Sequence, residues 1–326
     1  MKLRILSGAD IKALLPMAAC IEVMRTTMIA VSEGRVRVPP RTVLLVSKGG
    51  LLGNMPGYLA EPECFGVKLL SLFPGNPAAG LSSHLGLVLL FEPRHGLPVA
   101  MLDAAELTAI RTAAVSGLAT RLLAREDASD LAILGSGEQA RSHLAAMLAV
   151  RPVRRVRVWS RTPARAAAFA AEQAALHGLD IETVATAQAA VAGAHLICTV
   201  TGAAEPILRG DWIAPGAHLN VVGASRIAAA EIDTAAVAKS RFFVDFRGSA
   251  EHEAGELRRA IDEGAVTAGH VLGEIGEVAN GSVAGRLSPD DITLFKSLGV
   301  SAEDLASAHY VLRRAEAEGV GQLVEL

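Results

Sequence analysis

The sequence predicts an α/β fold, with a doubly wound parallel sheet in its second half and a separate α+β unit ahead of it. Three observations carry this reading. From about Leu131 onward, short β-type runs alternate with alanine-rich helical stretches, the pattern of a parallel sheet with helices on both faces. Before Leu131 the runs RTVLLVS, GVKLLSLFPG and LGLVLLFE are extended, apolar and separated by Gly, Pro and Asn, with few helices between them, which suits a mixed or antiparallel sheet. Just after the change of texture, the segment AILGSGEQAR ends an apolar run in two glycines spaced one apart and starts a helix at once.

Composition narrows the function classes. The chain has 326 residues, 51% of them hydrophobic and 20% charged, enough for one large domain or two ordinary ones with a sizeable core. Its formal net charge is -3, so there is no overall basic field to hold nucleic acid or an acidic membrane surface. The three cysteines, Cys20, Cys64 and Cys198, are widely spread, with neither CxxC spacing nor a nearby histidine pair. They read as buried or incidental thiols of a reducing, cytoplasmic compartment, and no metal site is expected. No apolar run reaches the length a membrane span requires.

The elements follow in order. The start MKLRILSGADIKALLPMAAC mimics an export signal, but Asp10 and Lys12 interrupt its apolar stretch, and Ser7 with Asp10 has the spacing of a helix N-terminal box, so a soluble helix is expected here. After the extended runs of the first unit, LAIL leads into GEQARSHLAAMLA and VRVW into RTPARAAAFAAEQAALHG; HLICTV, HLNVVG and RFFVD then read as further strands. In RPVRRVRVWSR the valines alternate with arginines as on a strand with one wet end, which favours a solvated loop and strand start over a nucleic-acid patch. The last stretch, SAEDLASAHYVLRRAEAEG, is helical by period, capped by Ser301 and Gly319, and expected to pack back on the N-terminal part.

The glycine segment, Gly135-Ser136-Gly137-Glu138-Gln139-Ala140, fits G-x-G-x-x-A between a strand and a helix. The first glycine permits a tight turn, the second lets a pyrophosphate reach the backbone, and the small third residue lets helix and sheet pack closely. The helix start then offers free N–H groups and a positive dipole end to phosphates. A plain structural turn gives the same pattern, but the strand-before, helix-after context favours a dinucleotide. About 20 residues beyond such a motif, an NAD site usually carries an acid for the ribose hydroxyls. Here VWSRTPAR places Ser160, Arg161 and Thr162 at the strand end, with no carboxylate. Arginine pairs a phosphate with two parallel hydrogen bonds, so NADP(H) is preferred and NAD(H) remains an option.

Three cations of the first unit stand in settings odd for solvation: Arg41 in VPPRTV, Lys68 in FGVKLLSLFPGN and Arg111 in LTAIRTAAVSGLATR. Lysine is rarely buried without a partner, so Lys68 between Val67 and Leu69 requires an anion. Two sources fit, a substrate carboxylate or a structural salt bridge to Asp103 or Glu106.

At these residues the sequence resembles the ornithine cyclodeaminase/mu-crystallin family. The segments LSGADIKALL, MPGYL, GVKLLSLFPGN, DAAELTAIRTAAVSGLATRLLAR, ILGSGEQAR, GEIGEV and FKSLGVSAEDLA carry the resemblance over almost the whole chain. It implies a two-domain subunit, usually a homodimer: a substrate-binding and dimerisation domain over 1–117, completed by a C-terminal helix over 301–326, and a Rossmann domain over 118–300 that binds the nicotinamide cofactor. It implies further that Arg41, Lys68 and Arg111 hold the substrate carboxylate. Ser83, His84, Arg111, Thr112, Thr201, Val222, Gly223, Ala224 and Ser297 would lie near the cofactor.

One position divides the chemistries of this family. Its true cyclodeaminases carry an aspartate in a segment like G-x-D-x-P-G-K after the VVG strand, whereas this chain reads VVGASRIAAAEID, with Ser225 and Arg226 in that region. The pattern is closer to mu-crystallin and the related imine reductases. Ser225 and Glu253 become candidate substrate-side residues, Glu253 reading equally as an ordinary helix-surface acid. The resemblance thus implies reduction of a cyclic 2-imino acid, Δ1-pyrroline-2-carboxylate or Δ1-piperideine-2-carboxylate, to L-proline or L-pipecolate. A protonated imine nitrogen makes the adjacent carbon a better hydride acceptor, and a carboxylate clamp holds that carbon in place. An amino-acid dehydrogenase or cyclodeaminase is the second reading, and a non-catalytic NADPH-dependent binding protein the third.

Overall fold

The structure is a computed structural model and describes residues 2–46, 49–82 and 84–325. Its contacts divide the chain into two compact units, the first running to Thr112 and resuming at Val300, the second Ala113–Gly299. The first unit contains β1 (Lys2–Leu6), α1 (Gly8–Leu14), α2 (Met17–Ser32), β2 (Val36–Arg37), β3 (Thr42–Leu45), β4 (Leu51–Ala60), β5 (Glu63–Leu72), β6 (His84–Phe91) and β7 (Pro98–Asp103), and leads into α3 (Ala104–Leu123). The second contains β8 (Asp130–Leu134), α4 (Glu138–Val150), β9 (Arg155–Trp159), α5 (Pro163–His177), β10 (Ile181–Thr183), α6 (Ala187–Val191), β11 (Leu196–Thr199) and β12 (His218–Val221). It continues through α7 (Thr234–Lys239), β13 (Ser240–Val244), α8 (Arg247–Glu253), α9 (Gly255–Asp262), β14 (Val271–Glu274), α10 (Ile275–Ala279) and β15 (Ile292–Lys296). The chain then returns to the first unit as α11 (Ser301–Glu318) and β16 (Gln322–Glu325).

The first unit begins as its sequence suggests, with one addition. Ser7 Oγ accepts from Asp10 N at 3.3 Å and the Asp10 carboxylate accepts from Ser7 N at 2.9 Å, closing the box that starts α1. The residues ahead of it form a strand that the sequence reading did not foresee. Among the described residues the sheet has eight strands in the order β16-β1-β7-β6-β5-β4-β2, with β3 also on β4. It is mixed: β1 runs parallel to β7 and antiparallel to β16.

Helix α11 lies close upon β4 and β5 where the two strands carry glycine. Gly57 pairs with Gly66 across the ladder. A Cβ at 57 would stand 2.6 Å from Ser301 Oγ, and one at 66 would stand 2.1 Å from Leu89 O of the neighbouring strand and 2.9 Å from Leu305 Cδ2. Ser301 Oγ donates to Pro56 O at 2.8 Å, so Ser301 ties the helix to the sheet and the N-cap position belongs to Val300, not to Ser301 as expected. At the other end Gly319 does cap α11, with φ 69°. The C-terminal segment is not helical throughout, because residues 322–325 pair with β1.

The second unit is the doubly wound domain. Its eight described strands run in the order β10-β9-β8-β11-β12-β15-β13-β14 and all pair in parallel. The order turns at β8, whose neighbours β9 and β11 continue in opposite directions, which makes the carboxyl ends of these strands the place for a ligand. Ile197, Leu219, Phe242 and Leu294 from four of the strands are fully buried in one core. In RPVRRVRVWSR the strand start is exposed at Arg155, as expected, but Arg157 is buried, donates to Asp130 Oδ1 at 2.5 Å, and donates to the carbonyls of Ala189 and Ala192. The alternation is real, but both faces of this inner strand are covered. All three cysteines are buried free thiols, and no single described helix is long and apolar enough to cross a membrane.

Candidate functional site

In the first unit, β5, α3 and α11 bring Lys68 and Arg111 onto the same carboxylate. Lys68 pairs across the ladder with Met55 and Val88, on the sheet face that α11 covers. Its Nζ donates to Asp304 Oδ1 at 3.0 Å. Arg111 Nε donates to the same oxygen at 2.9 Å, and Arg111 Nη1 donates to Glu303 Oε2 at 2.5 Å. All four side chains are buried. The anion that Lys68 requires is therefore Asp304, and neither Asp103 nor Glu106. Asp103 Oδ1 instead accepts from Glu106 N at 2.8 Å, in the first turn of α3.

Two cations and two carboxylates balance in charge, which makes their common burial tolerable. Burial is the largest influence on Lys68 and pulls its ammonium down to about 8, against the attraction of Asp304 and with the repulsion of Arg111. Burial alone would raise Asp304, but Arg111 and Lys68 hold it below the usual carboxylate range. The cluster is not saturated. Lys68 gives Asp304 one of its three N–H donors, and the Nη2 end of Arg111 makes no hydrogen bond among the described residues. A small carboxylate would find donors on both cations.

Arg41 is half-buried and directly precedes β3, whose first pair is Thr42 with Asn54. The next residue of β4, Met55, pairs with Lys68. Arg41 thus stands at the register position of Lys68 two strands away, roughly 10 Å between backbones. Thr112 follows Arg111 on α3 and is buried. Ser83 lies outside the described residues, as does the side chain of His84.

In the second unit the glycine loop has the geometry its sequence suggests. Gly135 has φ 126°, and a Cβ there would stand 2.8 Å from Val200 O, so only glycine fits. Gly137 is the N-cap of α4 without a side-chain cap, and nothing lies within 4 Å of a Cβ built on it. That open space beside unpaired helix N–H groups is what a pyrophosphate would fill. Ser136 is half-buried, Glu138 opens the helix, and the buried Oε1 of Gln139 has no partner among the described residues. Ala140 is fully buried where α4 meets the sheet. The loop and the end of β9 are joined, since Ser136 Oγ donates to Ser160 Oγ at 3.0 Å. Arg161 is exposed and forms no ion pair among the described residues. Thr162 is the N-cap of α5, but its hydroxyl is not used for capping.

The ends of β11, β12 and β15 carry the remaining candidates. The Thr201 hydroxyl donates to Glu231 Oε1 at 2.7 Å and accepts from Ala203 N at 3.1 Å, so its one proton is already committed to the protein. Val222 and Ala224 are buried, which leaves Gly223 as the open residue of that trio. Ser297 is buried at the end of β15, its N–H donating to Val221 O at 3.0 Å. Ser225 is half-buried in the loop after β12, and Glu253 is half-buried in the last turn of α8. Sequence reasoning missed Glu303, Asp304 and Glu231. Two adjacent acids in a helix of small and apolar residues were a usable signal for the first pair, but first-turn acids read more simply as partners of the helix dipole.

The model of the ornithine cyclodeaminase/mu-crystallin family matches residues 1–319. The chain is 39% identical over 280 residues to the ketimine reductase mu-crystallin of Mus musculus, covering 86% of this chain and 85% of the mouse protein. It is similar to the structure of Thermococcus litoralis Δ1-pyrroline-2-carboxylate reductase in complex with NADH and L-proline, with a TM-score of 0.95 and 36% identity over 98% of this chain and 99% of that one. It is also similar to an archaeal alanine dehydrogenase dimer with bound NAD, with a TM-score of 0.93 and 29% identity over 100% of both chains.

The two loop glycines should fail in different ways. Gly135→Ala forces a Cβ onto a backbone that side chains avoid and against Val200 O, and should cost about 1–3 kcal/mol of stability in urea unfolding. Gly137→Ala meets no protein atom and should leave the unfolding midpoint nearly unchanged, while weakening dinucleotide binding roughly tenfold or more. Calorimetric titration on both variants checks the contrast, and unchanged binding by Gly137→Ala would remove the pyrophosphate from this loop.

Proposed function

Because the chain belongs to the ornithine cyclodeaminase/mu-crystallin family, we propose that it is an oxidoreductase that reduces a cyclic 2-imino acid, Δ1-pyrroline-2-carboxylate or Δ1-piperideine-2-carboxylate, to L-proline or L-pipecolate with a nicotinamide cofactor. The observation that carries this reading is the Lys68–Arg111 pair, two buried cations on one carboxylate with donors to spare. Similarity to a reductase seen with NADH and L-proline supports it. So does Ser225 at the place where a cyclodeaminase has its aspartate.

Lys68 and Arg111 hold the substrate carboxylate, with Arg41 at the same register position, and the Arg111 fork suits a planar anion. When bound, the reduced nicotinamide supplies a hydride to the imine carbon. The nitrogen takes up one proton for this, so that a protonated imine receives the hydride and becomes the amine. Lys68, pulled down to about 8, is protonated at neutral pH yet gives up its proton more readily than an ordinary lysine, which suits a donor at this place. Asp304 keeps that ammonium in position. The same clamp accepts an open-chain imino acid, and the similarity to an alanine dehydrogenase favours amino-acid dehydrogenation as a second reading.

We assign NADP(H) as the preferred form. Arg161 is an exposed cation at the end of β9, Arg165 lies exposed in the first turn of α5, and no acid stands between them. Cations at a helix N-terminus oppose the dipole, and a bound phosphate would relieve this. The subunit is further proposed to pair with a second copy through the outer face of the first sheet. There Leu44, Leu52, Ser71 and Leu85 form one cross-strand row, with Leu44 62% and Leu52 and Leu85 each 41% exposed. Contiguous apolar surface of this kind marks an interaction site, and the similar alanine dehydrogenase is a dimer.

Four measurements test these statements. With cyclic imino acids and NADPH, kcat/KM should fall as pH rises through about 8, where free Lys68 loses its charge, and Lys68→Ala should lower kcat/KM by about 100-fold and abolish that limb. Stoichiometric ammonia and proline from ornithine, without net cofactor change, would instead return the chain to the cyclodeaminases. Arg161→Ala should weaken NADPH roughly tenfold or more and NADH less than about twofold; equal losses would show that this strand end reads no phosphate. Light scattering should give a dimer at micromolar concentration, and a monomer at every concentration would refute the pairing.

A further inference from the structure

At the carboxyl end of the second sheet lies a buried acid for which the proposed reaction has no part. Glu231 is completely buried and its two oxygens meet four donors. Oε2 accepts from Thr199 Oγ1 at 2.8 Å and from Gly223 N at 2.6 Å; Oε1 accepts from Thr201 N and from Thr201 Oγ1, each at 2.7 Å. The ladder between β11 and β12 ends at Thr199 with Val221. Just beyond it Val222 N and Gly223 N still donate to Thr199 O, at 3.0 and 3.3 Å, and the Glu231 carboxylate extends the link from Gly223 to Thr201.

Glu231 is itself fixed from behind. Its N–H donates to Glu256 Oε1 at 3.1 Å, and its carbonyl accepts from Ile207 N at 2.8 Å and Leu208 N at 3.1 Å. Glu256 meets Lys296 Nζ at 3.2 Å, and that ammonium also donates to Ala224 O. The loops are drawn so close that a Cβ at Gly223 would fall 2.0 Å from Thr201 O and 2.6 Å from Glu231 Oε1. Gly223 is nevertheless exposed, a bare backbone presented outward.

Strand order identifies the ligand that meets this backbone. The loop at Gly135 ends β8 and Arg161 follows β9, on one side of the turn in strand order; β11 and β12 lie on the other. A dinucleotide with its pyrophosphate at β8 and its adenosine at β9 has its nicotinamide half over β11 and β12. We propose that Glu231 is a positioning residue for that half, setting Thr201 and Gly223 at the spacing the nicotinamide end requires. The proposal rests on the cofactor reading above.

The test separates positioning from general support of the fold. Glutamine keeps the shape of Glu231 but turns one oxygen into an NH2 that faces two donors, so one of the two loops loses its acceptor. Glu231→Gln should weaken NADPH about tenfold or more, while ADP-ribose 2′-phosphate, which lacks the nicotinamide, binds within about twofold of wild type. Thr201→Val removes a single hydroxyl donor and should repeat the selective loss at about threefold, which keeps the question open to measurement if Glu231→Gln does not fold. Equal weakening of both probes, or unchanged NADPH binding in either variant, would overturn the proposal while leaving the cofactor reading intact. Wild-type protein that binds the fragment but not NADPH more tightly would also overturn it; wild-type protein that binds neither would overturn both.

Discussion

One oxygen, Asp304 Oδ1, is what allows the candidate site of the first unit to exist. Two cations a few ångströms apart repel by about 4 kcal/mol at an effective dielectric of 20, and more where water is scarce. With Asp304 accepting from both, Lys68 and Arg111 can share one buried place. The carboxylate reaches that place because α11 lies on β4 and β5, where Gly57 and Gly66 raise no Cβ against Ser301 and Leu305. A backbone requirement in the sheet thereby becomes an electrostatic property of the site. The same shared oxygen ties the acidity of Lys68 to its location, since burial pulls its pKa down and Asp304 limits the fall.

The second unit uses a buried carboxylate in another way. Glu231 accepts from peptide N–H groups and hydroxyls rather than from a clamp of cations, and its carboxylate links the segments that follow β11 and β12. Burial pushes its pKa upward, against the opposing pull of the Lys296 ammonium and of these donors. In both units a polar side chain contributed from afar replaces the regular ladder or the solvent that would otherwise satisfy the groups around it.

What could be read from the sequence was local. The strand–glycine–helix at Gly135 imposes a backbone conformation and an open helix end within a few residues, so the motif and the structure agree there. The parallel sheet was legible because its strands are short apolar runs separated by helices of regular period. The anions of Lys68 and Arg111 were not, because Asp304 lies 236 and 193 residues from them in sequence, and the nearer acids Asp103 and Glu106 offered a simpler pairing. The burial of Arg157 was not legible, because alternation shows which residues share a face but not whether that face is covered. Ser301 was read as a cap because its hydroxyl precedes a helix, while in space that hydroxyl has a sheet carbonyl within reach. The family resemblance bridged part of this distance by marking the three cations as a group; it did not identify their counter-ions.

The discontinuity of the first unit bears on how the protein is made. Domains tend to fold as units in the order in which they leave the ribosome, but here the second unit, Ala113–Gly299, is complete before the first. Strand β1 is made before the second unit and its neighbour β16 after it. Until residues 303 and 304 appear, Lys68 and Arg111 have no carboxylates to neutralise them, and the sheet face around Gly57 and Gly66 has no helix to cover it. The nascent first unit must therefore keep its cations in water, and its clamp closes only after the whole second unit has been made.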